Sequence, residues 1–240
     1  MVLHVWIGFD HREPLTYKTC VQSILEHAQG KVVLHKLDTQ ELRQRGLFSR
    51  EWRVTAEGQF VDVLDGKPFS TAFSHSRFLV PHLAREAGTG PAAVFMDPDM
   101  VLLDDITKVL GEVPASSAVA VVKHDFKGSG MKMDAKVQTS YKRKLWSAFM
   151  VFDPWNPYCK DLTPDQVNTQ TGTYLHQFGW CPDHLIGSLA EGWNYIPEHS
   201  KDYQGPIYNV HYTKGTGEFS NYVNAPMMDI WYKSLVKAMA

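Results

Sequence analysis

The sequence predicts an α/β protein with a mostly parallel sheet flanked by helices, in one domain spanning residues 1–240. Three observations predict it. Val2 to Phe9 is a short apolar run ending in Gly8-Phe9-Asp10, the signature of a buried strand. A helix and a second β-rich run, Lys31 to Leu37, follow at the spacing of a βαβ unit. A further apolar run, from Ala92 to Met96, gives way to Asp97-Pro98-Asp99 before Met100-Val101-Leu102-Leu103.

Each element has its own warrant. Residues 12–28 carry Leu15, Cys20, Ile24 and Leu25 at roughly helical spacing, with Gly30 as a stop. Residues 38–70 are polar and irregular, with Gly46, Gly58, Gly66 and Pro68, and read as a flap or small insertion. Ser70 and Thr71 are placed to cap a helix through Ala87 that Pro81 kinks or divides. Ser117 to Lys123 and Trp146 to Phe152 read as strands. Leu162 to Gln177 and Pro182 to Leu189 read as short helices, and Trp193 to Ile196 and Ile207 to Tyr212 as strands. The chain closes on a helix from Pro226 to Ala240 whose apolar face is Met228, Ile230, Trp231, Leu235 and Val236.

Composition narrows the function. A net charge of −2 suggests no global polyelectrolyte attraction. No apolar run approaches the roughly 20 residues of a membrane span. The N-terminus has no cationic leader and reads as a strand, which makes the cytoplasm the expected location. Cys20, Cys159 and Cys181 are odd in number and lack metal-site spacing, which argues against a disulfide framework and a cysteine zinc site. P-loop, Gly-x-Gly-x-x-Gly and Gly-x-Ser-x-Gly signatures are absent.

The candidate chemistry begins at Asp97 and Asp99. Open α/β sheets bind ligands beyond the carboxyl ends of their strands. Two carboxylates there are hard oxygen ligands suited to Mg²⁺ or Mn²⁺, although a polar strand end with solvated aspartates fits the same dipeptide spacing. Phe9 and Asp10 end the first strand, where they can stack on and bond a nucleobase or simply turn the chain. His211 follows the last strand and can add a nitrogen ligand, with Lys214 and Gly215 next to it suited to phosphate oxygens. Asp183 either caps a short helix or accepts a sugar hydroxyl. Arg77 makes a surface ion pair or reaches a phosphate or base edge. Residues 123–144 carry seven Lys/Arg against Asp125 and Asp134, a solvated face or a contact for an anionic acceptor.

The order of these segments resembles GT-A-fold, nucleotide-sugar glycosyltransferases, most closely those similar to glycosyltransferase family 8, and a group of compact bacterial and phage glycosyltransferases. The specific matches are Tyr141-Lys142-Arg143-Lys144-Leu145-Trp146-Ser147 and the Leu162 to Gly172 stretch, Leu-Thr-Pro-x-x-Val-Asn-Thr-x-Thr-Gly. The resemblance implies a UDP-sugar donor and Mn²⁺ or Mg²⁺, with Asp97, Asp99 and His211 as metal ligands. It implies Phe9, Asp10, Arg77, Trp146, Ser147 and Gly215 around the donor, Lys214 on the diphosphate and Asp183 in the catalytic loop. It divides the chain into a nucleotide-binding half, residues 1–123, and an acceptor-side half with the metal and phosphate loop, residues 124–240. Two departures stand out: Gly217-Glu218-Phe219 replaces the usual Lys-Pro-Trp, and the Asp183 loop lacks Asp-Gln-Asp. The acceptor expected is a glycan, or hydroxymethylated pyrimidine in phage-type DNA held by Lys142, Arg143 and Lys144. A metal-dependent nucleotidyltransferase and a non-catalytic sugar-nucleotide-binding module are the competing expectations.

Overall fold

The computed structural model describes residues 2–125, 131–132, 136–137 and 143–240. Strand β1 (Val2–Phe9) leads through helix α1 (Pro14–His27) to β2 (Lys31–Asp38), α2 (Thr39–Gln44) and three short strands, β3 (Trp52–Val54), β4 (Phe60–Asp62) and β5 (Pro68–Phe69). A 3₁₀ turn at Ser76–Leu79 runs into α3 (Val80–Glu86), followed by β6 (Ala93–Met96), β7 (Met100–Leu102) and β8 (Val119–Val121). A hairpin of β9 (Met131–Lys132) and β10 (Lys136–Val137) precedes β11 (Phe149–Phe152) and helices α4 (Pro157–Asp161), α5 (Pro164–Thr169) and α6 (Gly172–His176). Then come β12 (Ile186–Ser188), β13 (Asn209–His211) and α7 (Met228–Met239).

The central sheet has the order β12-β8-β11-β6-β1-β2. β1 pairs in parallel with β2 and β6, and β12 with β8, while β11 runs antiparallel between β6 and β8. The mostly parallel α/β expectation therefore holds. Both faces are apolar, as a sheet covered on both sides requires. Trp6, Phe95, Val119 and Phe152 pack with α3, α4 and α5 on one face. Val5, Ile7, Val94, Met96 and Phe149 pack with α1 on the other. Burying a side chain such as Phe95 contributes about 1.5–3 kcal/mol. At Gly8 an added Cβ would lie 2.5 Å from the Phe73 ring, so the close approach of that ring to β1 requires glycine.

Several boundaries differ from expectation: Trp146–Ala148 is a 3₁₀ turn ahead of β11, and the helical segment after Ser70 and Thr71 begins only at Ser76, without a side-chain cap. Residues 38–70 form α2 and the antiparallel β3-β4-β5 sheet, ordered by the buried Arg50–Asp62 ion pair and the Trp52, Phe60 and Phe69 rings. Pro182 to Leu189 is a 3₁₀ turn and then strand β12, because Ile186 is buried against the sheet edge. Trp193 to Ile196 is largely a 3₁₀ turn, Glu191–Asn194, with Tyr195 bridging Val210 alone. Pro81 does divide its segment, sitting at the start of α3, where a missing N–H costs nothing. On α7, Met228 and Trp231 are buried, but Val236 is 69% exposed and off the packed face. No described helix is long and apolar enough to cross a membrane. All three cysteines are free and buried.

Candidate metal centre

β6 carries Asp97 to the carboxyl edge of the sheet, where its backbone N–H donates to the Ala148 carbonyl at 2.8 Å. Pro98 turns the chain and Asp99 leads into β7, which pairs antiparallel with β13 in a register that sets His211 opposite Met100. The Tyr212 N–H donates to the Asp99 carbonyl at 2.8 Å, extending that ladder to the acid itself. Backbone pairing thus brings a C-terminal histidine to the two aspartates. One ligand atom from each of Asp97, Asp99 and His211 lies within 4.8 Å of the others, and all three residues are buried.

The histidine is oriented. Asn194 Nδ2 donates to the Leu145 carbonyl at 3.2 Å, which turns its Oδ1 toward His211 Nδ1 at 2.7 Å. Nδ1 therefore carries the proton, and a neutral ring directs its Nε2 lone pair at Asp99 Oδ1, 3.2 Å away. Two lone pairs at that distance repel unless a cation or proton lies between them. Adjacent ligands of an octahedral Mg²⁺-sized ion stand about 3 Å apart. The two carboxylates, the imidazole and this spacing fit a divalent ion.

Arg77 lies behind the site. Its Nη1 is 3.0 Å from Asp97 Oδ1 and donates to the Ser147 carbonyl at 2.8 Å. The guanidinium also sits 4.8 Å from the Phe95 ring centroid. It is buried rather than on the surface, and it lines the same cavity as Asp97 and Asp99. It holds Asp97 in a dry setting, where an ion pair is strong but also obligatory.

Asp10 has its acceptor positions filled by the Arg12 N–H, Nε and Nη2 and by the Ala72 N–H, at 2.6–3.0 Å. Burial raises this acid, and the Arg12 guanidinium and the two amides outweigh burial and hold it below the usual carboxylate range. The residue fastens the β1 end to the loop before the Arg77 turn. Phe9 is half-buried, edge-on to His11 and Tyr17, with Lys36 Nζ 4.9 Å above its ring.

Ser147 bonds His176 Nδ1 at 2.8 Å, and both line the cavity in front of Asp97 and Asp99. Trp146 is half-buried, its indole N–H donating to the His124 carbonyl. Lys214 is exposed at the β13 turn, 3.9 Å from Glu198. Gly215 has φ +148°, and a Cβ there would meet the Tyr222 ring at 2.4 Å, so the turn presenting Lys214 needs glycine. In place of the usual Lys-Pro-Trp, Glu218 accepts from the Leu15 and Thr16 amides and caps α1.

Asp183 is 80% exposed on its side chain, and the Arg143 guanidinium bonded to it at 2.6 Å lowers its acid. It does not line the cavity of Asp97 and Asp99. Arg143 is held by Asp183 and by the Gln177 carbonyl. Lys144 is 4% exposed and lines the cavity, so it does not offer an outward face to DNA. Lys142 lies outside the described residues. Asn194 and Glu13 escape a motif reading. Asn194 stands in no charged cluster, whereas Glu13 is three residues past Asp10 on the ligand-facing edge and could have been found there.

No protein-family model matches the chain. It is 35% identical over 236 residues to Protein CDI of Arabidopsis thaliana, covering 96% of this chain and 85% of that protein. Galactosyltransferase LgtC, solved with donor and acceptor sugar analogues, matches with a TM-score of 0.61 at 10% identity over 98% of this chain and 95% of its own. The glycosyltransferase GlyE of Streptococcus pneumoniae TIGR4, in its apo form, matches with a TM-score of 0.60 at 12% identity over 98% of this chain. The bifunctional glycosyltransferase WbbM gives a TM-score of 0.57 at 16% identity over 97% of this chain. The chain spans 60% of the GlyE structure and 51% of WbbM. The fold is of the GT-A type.

Proposed function

This chain belongs to the same family as Arabidopsis Protein CDI, and from its GT-A fold and its Asp-Asp-His cluster we propose a metal-dependent glycosyltransferase that moves a sugar from a UDP-sugar to an acceptor hydroxyl, in the manner of family 8-like enzymes. The observation that carries the reading is the convergence of Asp97, Asp99 and the oriented His211 at the carboxyl edge of the sheet. Asp97, Asp99 and His211 would hold Mn²⁺ or Mg²⁺, which would supply positive charge against a departing diphosphate. Arg77 holds Asp97 aligned, and Asn194 keeps the His211 lone pair facing inward. Lys214, exposed beside Gly215, is a cation offered to the phosphate oxygens in this reading.

In this reading residues 1–123 bind the nucleotide and residues 124–240 receive the acceptor and supply the metal and phosphate loop. The ends of β1 and β6 and the position of His211 support that division. A saccharide hydroxyl is the favoured acceptor over hydroxymethylated DNA. Lys144 faces the cavity and Arg143 is engaged with Asp183, so two of the three residues offered for DNA are otherwise occupied. Asp183 takes part in the chemistry only if the Arg143 ion pair opens. The test is UDP release from a panel of UDP-sugars with Mn²⁺ and simple sugars. A requirement for a nucleoside triphosphate instead would identify a nucleotidyltransferase.

A further inference from the structure

Glu13 is a buried acid that the arrangement above does not employ. It sits where β1 turns into α1, is 1% exposed, and lines the same cavity as Asp97 and Asp99. Its Oε1 is buried without a hydrogen-bond partner among the described residues. Such an oxygen is costly to leave unsatisfied and calls for a ligand or functional role. Its carboxyl stands outside the group of converging ligand atoms from Asp97, Asp99 and His211, so it is not placed to join them on the ion. An oxygen short of a hydrogen-bond partner can accept from a hydroxyl, whereas ionised phosphate oxygens have no proton to offer it. The partner that suits it is a hydroxyl.

Position indicates which hydroxyls are in reach. β1 has β2 on one side and β6 on the other, so the crevice between the β1 and β6 ends is a topological switch point. A nucleoside diphosphate with its phosphates at Asp97 and Asp99 carries hydroxyls on both flanks, on the ribose and on the transferred sugar. We propose that Glu13 is a donor-recognition residue that hydrogen-bonds one of these hydroxyls beside the cation site, an inference that rests on the glycosyltransferase reading. Burial, and next the Asp99 and Asp10 carboxylates, push the Glu13 acid up. Either protonation state keeps an oxygen able to accept from a hydroxyl.

The experiment is calorimetric titration, with Mn²⁺ present, of UDP, 2′-deoxy-UDP, 3′-deoxy-UDP, UDP-glucose and UDP-galactose into wild type, Glu13→Leu and Glu13→Ala. Glu13→Leu keeps roughly the volume and removes the acceptor oxygens, so it carries the test if Glu13→Ala fails to fold. With a ribose partner, Glu13→Leu binds UDP about tenfold more weakly. The deoxy analogue lacking that hydroxyl then binds wild type and variant alike. With a sugar partner, UDP binds unchanged and a UDP-hexose loses about tenfold. Wild-type affinity of Glu13→Leu for every probe overturns the inference alone, as does an equal loss for UDP and both deoxy analogues. Failure of the wild type to bind UDP with Mn²⁺ overturns the glycosyltransferase reading and this inference with it.

Discussion

Asn194 Oδ1 lies 2.7 Å from His211 Nδ1, and both side chains are wholly buried. This one hydrogen bond selects the tautomer that points a lone pair at Asp99. Outer partners of metal-binding histidines typically change affinity 10–100-fold when removed. Asn194→Ala is expected to weaken Mn²⁺ binding by about that 10–100-fold factor, measured by electron paramagnetic resonance of free Mn²⁺. Wild-type affinity in the variant would remove Asn194 from the site.

Asp99→Asn and Asp97→Asn separate binding from stability. Both remove a hard anionic ligand, and both are expected to lower metal-dependent UDP binding by roughly a hundredfold or more. Asp97→Asn additionally leaves the Arg77 guanidinium buried without its 3.0 Å carboxylate. Breaking a buried pair costs about 3–5 kcal/mol. Urea denaturation should therefore show Asp97→Asn well below Asp99→Asn. Equal stabilities would mean that the Arg77 pair is not a structural requirement.

Arg77→Met tests the pair from the other side. The Asp97 carboxylate would then be buried without its guanidinium, and the Ser147 carbonyl would lose its donor. A loss of about 3–5 kcal/mol is expected. Saturating Mn²⁺ should recover part of it, since a bound cation stabilises the folded state that holds it. A variant as stable as wild type, with no response to Mn²⁺, contradicts both roles of Asp97.

His75 gives the fold a dependence on acid. Burial, and next the Arg50 and Arg77 guanidiniums, push it well below the ordinary histidine range. The unfolded chain protonates His75 near pH 6.5, roughly its free value, while the folded chain does not. Below that pH the unfolded state binds more protons, so stability falls as pH drops toward the lower folded value. Above it both states are neutral and this contribution is flat. Each unit of separation is worth about 1.4 kcal/mol. His75→Gln should flatten the fall in urea midpoint below pH 6.5, and parallel wild-type and variant profiles would refute the assignment.

Long, strongly patterned elements were legible in the sequence: β1, α1, β2, β6 and α7 occur where apolar period and punctuation put them. The short elements were not, because two to four residues carry too little periodicity to separate a strand from a turn. β12 shows this, since Ile186-Gly187-Ser188 becomes a strand through its pairing with β8. At the site, Asp97, Asp99 and His211 were legible as residue types, and tertiary pairing supplied their meeting. Arg77 and Asp10 were legible as charged residues near the ligand edge. Their partners, Asp97 and Arg12, depend on burial and side-chain direction, which a linear motif does not encode.

The most direct measurement is UDP release from a panel of UDP-sugars with Mn²⁺, with and without EDTA, in wild type and Asp99→Asn, using simple sugars and hydroxymethylated DNA as acceptors. The expected result is release from one donor, abolished by EDTA and by Asp99→Asn, and accelerated by a saccharide. Release that persists undiminished in EDTA and in Asp99→Asn would contradict a metal centre at Asp97, Asp99 and His211.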